Sequence, residues 1–340
     1  MAAADYCIDI GTSNIKIHVN GIGTLVEPTV VALHKNAGTV TKYFGSEAKK
    51  LIGKTPDNIS IIYPVFEGRI LHFNPAADLL CYLLCKMTPK SILRTKARII
   101  VTVPCGLTTK EKEQYEDLVI RASGPESGII LQDLIMLDAP IAAGYALAEA
   151  LDAYSTMFLV DIGGGKTDIS ALTLNGIISG CTFGVGGNNI DSGIIDYINQ
   201  EYGIIIGTVM AEKIKKQIGS LVPNDGSKTM INGRSKENGN PISMLITSQD
   251  INMIIDFYLQ RITTVIESAL ASLNPEVSAE IRDKGLILLG ETALIPGIDK
   301  YFSKKLQVII SVAENPGLTV ISGAAKVISD PYALARVGRS

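Results

Sequence analysis

The stretch Val160–Ser170 reads VDIGGGKTDIS and contains the letters GKT, with which a nucleotide-binding P-loop ends. A P-loop requires the pattern GxxxxGK[ST], with a glycine five positions before the second glycine and a helix after the motif. Val160 occupies the position of the first glycine, and the residues after GKT, DISALTL, alternate apolar and polar side chains as a strand does. The stretch therefore predicts a strand, a glycine-rich turn and a second strand.

The same pattern occurs earlier in the chain. When Tyr6–Ile17 is set over Phe158–Ile169, Asp9 falls on Asp161 and Gly11 falls on Gly163. Both segments consist of an apolar strand, an Asp-Ile-Gly sequence, a turn of small residues and an alternating strand. Repetition about 150 residues apart predicts two related domains, each of which presents a β-hairpin turn. Two ordinary hairpins with a turn aspartate are the alternative.

The chemistry of the two turns suits a bound nucleotide. Small residues allow backbone N–H groups to approach phosphate oxygens and to form an anion-binding nest; here they are Gly11, Thr12, Ser13 and Asn14 in the first turn and Gly163, Gly164 and Gly165 in the second. Since a carboxylate beside a triphosphate needs a hard cation between them, Asp9 and Asp161 are predicted to be outer ligands of Mg²⁺.

Composition limits the class of protein. The 340 residues are 46% hydrophobic and 19% charged, as in a well-packed globular protein, and the length suggests about two domains. A net charge of −3 and a pI near 5.7 give no broad electrostatic footprint for nucleic acid, so any basic patch must be local and nucleic acid is disfavoured as a main partner. The five cysteines are scattered, without CxxC spacing, and no signal sequence is evident, so we expect a cytoplasmic protein.

Further motifs resemble the actin, Hsp70 and sugar-kinase superfamily and, within it, the MreB family of bacterial actins. Besides IDIGTSN and VDIGGGKTD they are EPTVVAL (27–33), FGSEAKKLIGKTPDNI (44–59), VPCGLTTKEKEQ (103–114), LDAPIAAGYA (137–146), LNGIISGCTFGVGGNNID (174–191), AEKIKKQIGS (211–220) and LLGETALIPGIDKYF (288–302). The resemblance covers nearly the whole chain. It implies a divergent paralogue within that family.

The resemblance implies an α/β fold of the actin-like ATPase type, with two duplicated RNase H-like lobes, inserted subdomains and a cleft that holds ATP and Mg²⁺. It assigns phosphate contacts to Thr12, Ser13 and Asn14 and to Gly163, Gly164 and Gly165. It assigns adenosine contacts to Glu212 and Lys215. The loop Gly290, Glu291, Thr292 and Ala293 would close over the nucleotide, at a strand end where α/β sheets expose ligand sites.

Departures from the family pattern concern hydrolysis. The positions that the resemblance associates with catalysis are Asp138, Lys166, Thr167 and Asp168. Asp138 stands in DAP where the family usually has EEP, and GGGKTD replaces GGGTTE. The carboxylate that orients the attacking water is one methylene shorter, and an error of about 1 Å can cost about a hundredfold in rate. We therefore expect intact nucleotide binding and weak hydrolysis. Lys166 as a solvated surface charge is the alternative.

The resemblance also implies the organisation of the chain. Residues 1–30, 64–141 and 318–340 would form subdomain IA, with 31–63 as subdomain IB. Residues 142–181 and 243–317 would form subdomain IIA, with 182–242 as subdomain IIB. The Gly- and Asn-rich runs Pro223–Thr229 and Asn232–Pro241 predict loops that flank a short hairpin.

Three functions are compatible with these motifs. A polymerising cytoskeletal ATPase that governs cell shape, or within that role helicity or motility, is favoured. A small-molecule kinase of the same superfamily would require a catalytic aspartate and a substrate pocket that the sequence does not reveal. A chaperone would require a peptide-binding domain, and the chain ends at Ser340.

The resemblance implies several partners. Filaments would form head to tail, with residues 182–242 and the lower second lobe of one copy against residues 31–63 of the next. Paralogous actins are a second class of partner. The inner face of the cytoplasmic membrane is a third, because Ile92 and Leu93 form an apolar tip among the basic residues of the 86–96 segment. A helix-to-strand connection with both side chains packed inward is the alternative.

Overall fold

The described part of the chain alternates strands and helices along its length. The computed structural model describes residues 3–36, 39–89, 94–148 and 155–337. Its strands are β1 (Ala4–Ile10), β2 (Asn14–Val19), β3 (Gly23–Pro28), β4 (Val31–Asn36), β5 (Thr39–Phe44), β6 (Ile59–Ile62), β7 (Val65–Phe66), β8 (Arg69–Ile70), β9 (Thr95–Val103), β10 (Ile129–Asp138), β11 (Met157–Ile162), β12 (Thr167–Thr173), β13 (Gly176–Phe183), β14 (Ile204–Ile205), β15 (Lys228–Ser235), β16 (Pro241–Thr247), β17 (Leu286–Leu289) and β18 (Ile310–Val312).

Eleven α-helices lie in the described residues. They are α1 (Gly45–Lys49), α2 (Phe73–Met87), α3 (Thr109–Ala122), α4 (Ala139–Leu147), α5 (Gly187–Tyr202), α6 (Thr208–Ile218), α7 (Ser248–Ala271), α8 (Pro275–Lys284), α9 (Ile298–Leu306), α10 (Thr319–Ser329) and α11 (Pro331–Val337), and a short 3-10 helix spans Glu291–Leu294. None of the helices in these ranges is both long and apolar enough to cross a bilayer.

The chain divides into two compact units. Unit 1 comprises residues 1–157, 170–182 and 317–340, and unit 2 comprises residues 158–169 and 183–316. Each unit is described by itself below.

Unit 1 is built on a five-stranded sheet with the order β10-β9-β1-β2-β3. Strands β1, β9 and β10 are parallel, whereas β2 and β3 continue the sheet as antiparallel strands. Apolar residues on α2 recur at intervals of three and four, which creates one buried face; its members are Ala76, Leu79, Leu80, Leu83, Leu84 and Met87. These side chains pack into the same hydrophobic core as the inward face of the sheet. Each fully buried leucine contributes about 1.5–3 kcal/mol to stability.

Two helices of unit 1 pack unusually closely. A Cβ atom on Gly323 of α10 would lie only 1.6 Å from the carbonyl oxygen of Ala142 in α4, so this crossing requires glycine. Lys326 of α10 donates a hydrogen bond from Nζ to the carbonyl oxygen of Ala146 at 2.9 Å. The crossing fixes α4, and α4 begins directly after Asp138.

Unit 2 contains parallel pairing of β11 with β17 and of β17 with β18. A separate three-stranded sheet has the order β14-β15-β16. The hairpin predicted around residues 223–241 is present, but both expected loops are wrong at their ends next to the strands. Lys228 and Thr229 of the first run and residues 232–235 of the second belong to β15, and Pro241 begins β16. Asn232 and Gly233 pair with β16, Arg234 pairs with β16 and β14, and Ser235 pairs with β14. Pairing with β16 outweighs the weak strand propensity of Asn232 and Gly233.

The strand–turn–strand prediction for both glycine-rich stretches is confirmed. The turn between β1 and β2 spans residues 11–13, and the residues after GKT form β12 and no helix. The P-loop interpretation is therefore excluded, since that loop must lead into a helix.

Candidate functional site

The turn at residues 11–13, called the first turn, is held closed by backbone contacts in unit 1. The N–H of Gly11 donates to the carbonyl oxygen of Asn14 at 3.0 Å. A Cβ atom on Gly11 would lie 2.7 Å from the same oxygen, so a larger residue would force the turn open. Thr29 braces the turn through its N–H to the carbonyl of Ser13 and its hydroxyl to the carbonyl of Gly11. The hydroxyl of Thr12 accepts from the N–H of Gly68 at 3.2 Å.

Asp9 precedes the first turn and is already engaged by protein groups. Its Oδ2 accepts from Lys16 Nζ at 2.7 Å, and its Oδ1 accepts from the Thr102 hydroxyl at 3.0 Å. The two charged side chains are largely buried, at 15% exposure for Lys16 and 16% for Asp9. A cation adjacent to the carboxylate reduces its attraction for a second cation, so Asp9 suits Mg²⁺ less well than the sequence indicated.

Asp138 lies at the same sheet edge as Asp9. In the register of the sheet Asp9 is beside Thr102 and Asp138 is beside Val103, the next residue of β9. Both carboxylates therefore lie at the carboxyl ends of parallel strands, where α/β sheets present ligand sites. Lys112 Nζ is 3.7 Å from Asp138 Oδ1, and both of these side chains are at least one-third exposed.

The turn at residues 163–165, called the second turn, has the same closing bond as the first. The N–H of Gly163 donates to the carbonyl oxygen of Lys166 at 2.9 Å. The carbonyl groups of the second turn face the start of α5. Gly187 N–H donates to Gly163 O at 2.9 Å, and Asn188 N–H donates to Gly164 O at 2.7 Å. The N–H groups at the start of a helix have no intrahelical partners. Two of these groups in α5 donate instead to carbonyl oxygens of the second turn.

These contacts also determine the direction of two N–H groups in the second turn. The described peptide bonds are all trans, so the C=O and the N–H of one peptide group point in opposite directions. The carbonyls of Gly163 and Gly164 point at α5, and the N–H groups of Gly164 and Gly165 consequently point away from it. Two successive N–H groups on one side of a turn form an anion-binding nest of the type that holds phosphate.

Gly186, which sequence reasoning did not single out, makes this arrangement possible. A Cβ atom on Gly186 would lie 2.5 Å from the carbonyl oxygen of Gly163 and 2.7 Å from that of Gly164. Its own N–H donates to Asn189 Oδ1 at 2.8 Å, which caps α5. The signal in the sequence was a pair of glycines immediately before an amphipathic helix, and the reason for the pair is the close approach of the second turn.

Lys166 and Asp168 follow the second turn and form an ion pair between Nζ and Oδ2. The side chains are only 15% and 10% exposed, so Lys166 is not a solvated surface charge. Thr167, between them, is buried and donates from its hydroxyl to the carbonyl oxygen of Val185 at 2.7 Å. Like Asp9 and Lys16, these two residues form an ion pair between a lysine and a carboxylate. Asp9 and Lys16 lie on opposite strands of their hairpin, whereas Lys166 and Asp168 both follow the second turn.

Lys215, predicted from α6, reaches the start of α5. Its Nζ donates to Asp191 Oδ2 at 2.8 Å and to the carbonyl oxygen of Gly187 at 2.8 Å. Burial raises the pKa of the Asp191 carboxyl above its ordinary value, and the positive charge of Lys215 opposes this rise. Glu212 lies one helical turn earlier and pairs with Lys216 at 2.9 Å.

The loop after β17 also contacts the second turn. Gly290 has a φ of 82°, and a Cβ atom there would lie 2.3 Å from the carbonyl oxygen of Ile162 and 2.6 Å from Asp161 Oδ1, so only glycine is compatible with this approach. Glu291 opens the 3-10 helix. The Thr292 hydroxyl donates to Gly163 O at 3.2 Å. Ala293 is buried.

Residues that could hold a metal are few. Across residues 3–36, 39–89, 94–148 and 155–337, no three His, Cys, Asp or Glu side chains are grouped as a metal cage. Mg²⁺ is commonly held by one or two carboxylates together with nucleotide phosphates and water, so a dedicated cage is not required. Asp161 is a candidate for this role, because it lies near the end of β11, beside Gly290 and two residues before the second turn.

The structure thus brings together most predicted residues of unit 2. The second turn, Lys215, Gly290 and Thr292 are joined through the start of α5 or by direct contact. Asp9, the first turn and Asp138 share one sheet edge in unit 1. Ile92 and Leu93 lie outside the described residues.

Comparisons with known proteins agree with this architecture. The family model described as MreB/Mbl protein matches residues 3–336. The cell shape-determining protein MreB of Escherichia coli strain K12 is 31% identical over 333 residues, which is 96% of this chain and 94% of that protein. The crystal structure of MreB 5 of Spiroplasma citri bound to AMPPNP is 27% identical, covers 100% of this chain and 99% of its own, and has a TM-score of 0.89. The ADP-bound form of the same protein is also 27% identical, with 98% coverage of both chains and a TM-score of 0.88.

Proposed function

The chain belongs to the MreB/Mbl family, and from that premise we propose that it is an ATP-binding cytoskeletal protein that polymerises into filaments governing cell shape. One observation carries the nucleotide-binding part of this proposal. The start of α5 holds the carbonyls of the second turn, so that the N–H groups of Gly164 and Gly165 point away from α5, as the donors of an anion-binding nest would. The similar Spiroplasma citri protein was crystallised with AMPPNP and with ADP, which supports the same ligand class here.

Calorimetry tests nucleotide binding directly. Titration of ATP into the full chain in the presence of Mg²⁺ should show saturable binding with one site per chain. The first turn should contribute through Thr12, Ser13 and Asn14, and Glu212 should contribute to adenosine recognition. Absence of heat and of competition by ADP at millimolar concentrations would count against the proposal.

Mg²⁺ is the metal that we propose for this site. When bound, it neutralises the charge of the nucleotide phosphates. Asp161 would hold it through the hydration shell, and Asp9 would contribute at longer range because Lys16 and Thr102 already occupy its carboxylate oxygens.

ATP hydrolysis is proposed to be weak. Asp138 is the group that would orient the attacking water, and its carboxylate lies near Lys112, which competes for it. Asp168 is neutralised by Lys166 beside the second turn, and Thr167 is committed to Val185. Positioning of water and charge dominates the rate of phosphoryl transfer, so these engagements favour slow turnover.

We propose that a filament is the working form of the protein. The contact would be heterologous, with residues 182–242 of one copy against residues 31–63 of the next, and a heterologous contact that does not close propagates as a filament. Sedimentation velocity with and without ATP tests it: the chain should form large species with ATP. A single monomer boundary across a hundredfold range of concentration would contradict the proposal.

A small-molecule kinase is the alternative function, and membership of a family of cell shape-determining proteins does not favour it. A kinase would transfer phosphate to an added sugar or other hydroxyl acceptor. Incubation with labelled ATP and a panel of such acceptors should show no transfer above the rate of hydrolysis.

Association with the cytoplasmic membrane through Ile92 and Leu93, and with paralogous actins, is also proposed. Both side chains stand among basic residues in the sequence, and an apolar tip flanked by positive charge suits an anionic lipid surface. Helicity and motility are specific forms of the shape-governing role.

A further inference from the structure

Lys215 lies in a position that connects it to the second turn. Its side chain is 12% exposed, and two of the three donors of its ammonium group are used inside unit 2. One goes to Asp191 and the other to the carbonyl oxygen of Gly187. The second bond matters because that carbonyl belongs to the peptide group that contacts the second turn.

A continuous series of hydrogen bonds connects Lys215 with the second turn. Lys215 Nζ donates to Gly187 O, and the N–H at the other end of the same peptide group is that of Asn188. Asn188 N–H donates to Gly164 O at 2.7 Å. The N–H at the other end of that next peptide group is that of Gly165, which points away from α5 toward the side where an anion would bind.

The direction of polarisation is the same at every step. A cation on a carbonyl oxygen draws electron density toward that oxygen and makes the N–H of the same peptide group a stronger donor. Gly164 O therefore accepts a stronger bond from Asn188, and Gly165 N–H in turn becomes a stronger donor. The positive charge of Lys215 is relayed through two peptide groups to a group predicted to bind phosphate.

Asp191 holds Lys215 in this geometry. The carboxylate is almost fully buried on α5, and its Oδ1 has no hydrogen-bond partner among the residues that the structure describes, so Oδ2 and Lys215 form its principal interaction. Burial of an ion pair is favourable only when its geometry is fixed by further bonds, and the bond from Lys215 to Gly187 supplies one.

We propose that Lys215, held by Asp191, is a positioning residue that orients and polarises the second turn for phosphate. This inference rests on the proposed ATP-binding function and deepens it. The interaction would concern the phosphates, so its loss should weaken the binding of a phosphate ligand that carries no nucleoside.

The test compares Lys215→Met with the parent chain for three ligands: ATP, inorganic tripolyphosphate and adenosine. The variant should lose about tenfold in affinity for both ATP and tripolyphosphate, the equivalent of one charge-assisted hydrogen bond. Adenosine affinity, measured by ligand-observed NMR, distinguishes a lost nucleoside contact from a lost effect on phosphate. Unchanged tripolyphosphate affinity, or a loss confined to ATP and adenosine, would overturn the inference.

Two further variants control the test. Lys213→Met removes an exposed lysine from the same helix and should bind all three ligands like the parent. Asp191→Asn with Lys215→Met removes both buried charges, so no unpaired charge remains to unfold the protein. This double variant should show the same loss of affinity for ATP and tripolyphosphate. Parent-like binding by a folded double variant would also overturn the inference. If the parent itself binds neither ATP nor tripolyphosphate, the proposed ATP-binding function fails instead.

Discussion

Replacement of Gly186 by alanine perturbs the contact on which the second turn depends. The backbone of Gly186 is extended, with φ −160°, so alanine can adopt it without strain. The added Cβ would lie 2.5 Å from Gly163 O and 2.7 Å from Gly164 O. Because only the space beside the second turn is altered, any effect on ligand binding reports on the position of that turn.

The magnitude follows from these distances. Carbon–oxygen contacts between peptide groups lie at about 3.3 Å or more, so the turn must move by about 0.8 Å from its present position. That movement weakens the bonds from Gly187 and Asn188 to the turn, which are worth about 1 kcal/mol each, or about 2 kcal/mol together. Without these bonds the N–H groups of the second turn are not held in position before ATP binds, so ATP affinity should fall about 30-fold. The free energy of unfolding should fall by about 1–3 kcal/mol through overpacking.

The assay is calorimetry of ATP binding with Gly207→Ala as the matched control. Gly207 also precedes a helix, α6, with an extended backbone, but a Cβ atom there would have nothing within 4 Å. The control removes a glycine from an equivalent helix start and should retain parent-like ATP affinity. Equal affinities for Gly186→Ala and the parent would show that the turn's approach to α5 has no role in nucleotide binding.

Three further predictions address the metal, hydrolysis and the membrane. Asp161→Ala should weaken ATP binding in Mg²⁺ but change it little in EDTA, because the carboxylate acts through the metal's hydration shell; equal losses in both buffers would contradict this. Asp138→Glu combined with Lys166→Thr should raise phosphate release about tenfold, or about 1.4 kcal/mol of barrier, with little change in ATP affinity; slower release with weaker binding would instead assign Lys166 to phosphate binding. Ile92→Ser with Leu93→Ser should reduce pelleting with anionic liposomes, and equal pelleting of variant and parent would remove the membrane proposal.

The two strand–turn–strand segments could be predicted from sequence because their signals are local. Alternation of apolar residues and the position of the glycines are sufficient to distinguish a hairpin from a P-loop. The N–H groups of Gly11 and Gly163 donate corresponding hydrogen bonds that close the two turns, which confirms the alignment of the two repeats.

The partners of the charged residues could not be predicted, since they depend on strand register and on the directions of side chains. Asp9 was expected to hold a metal, but the strand register places Lys16 directly opposite it. The sequence left two interpretations of Lys166, as a site residue or as a solvated surface charge, and the structure pairs it with Asp168. Pairing of this kind depends on which side chains lie on the same face of a strand or hairpin, and composition and spacing do not specify it.

The role of α5 could not be predicted for a related reason. Gly186 and Gly187 were quoted as part of a family motif, but a glycine pair has several structural uses. Only the three-dimensional approach of the second turn explains why a side chain is excluded there.

Electron microscopy of the purified chain with and without ATP tests most directly the central claim that this is a nucleotide-dependent filament protein. With ATP and Mg²⁺ the parent and Gly207→Ala should form filaments, and Gly186→Ala should require a higher ATP concentration to do so. Particles that remain single with ATP in every variant and at every concentration would contradict the claim.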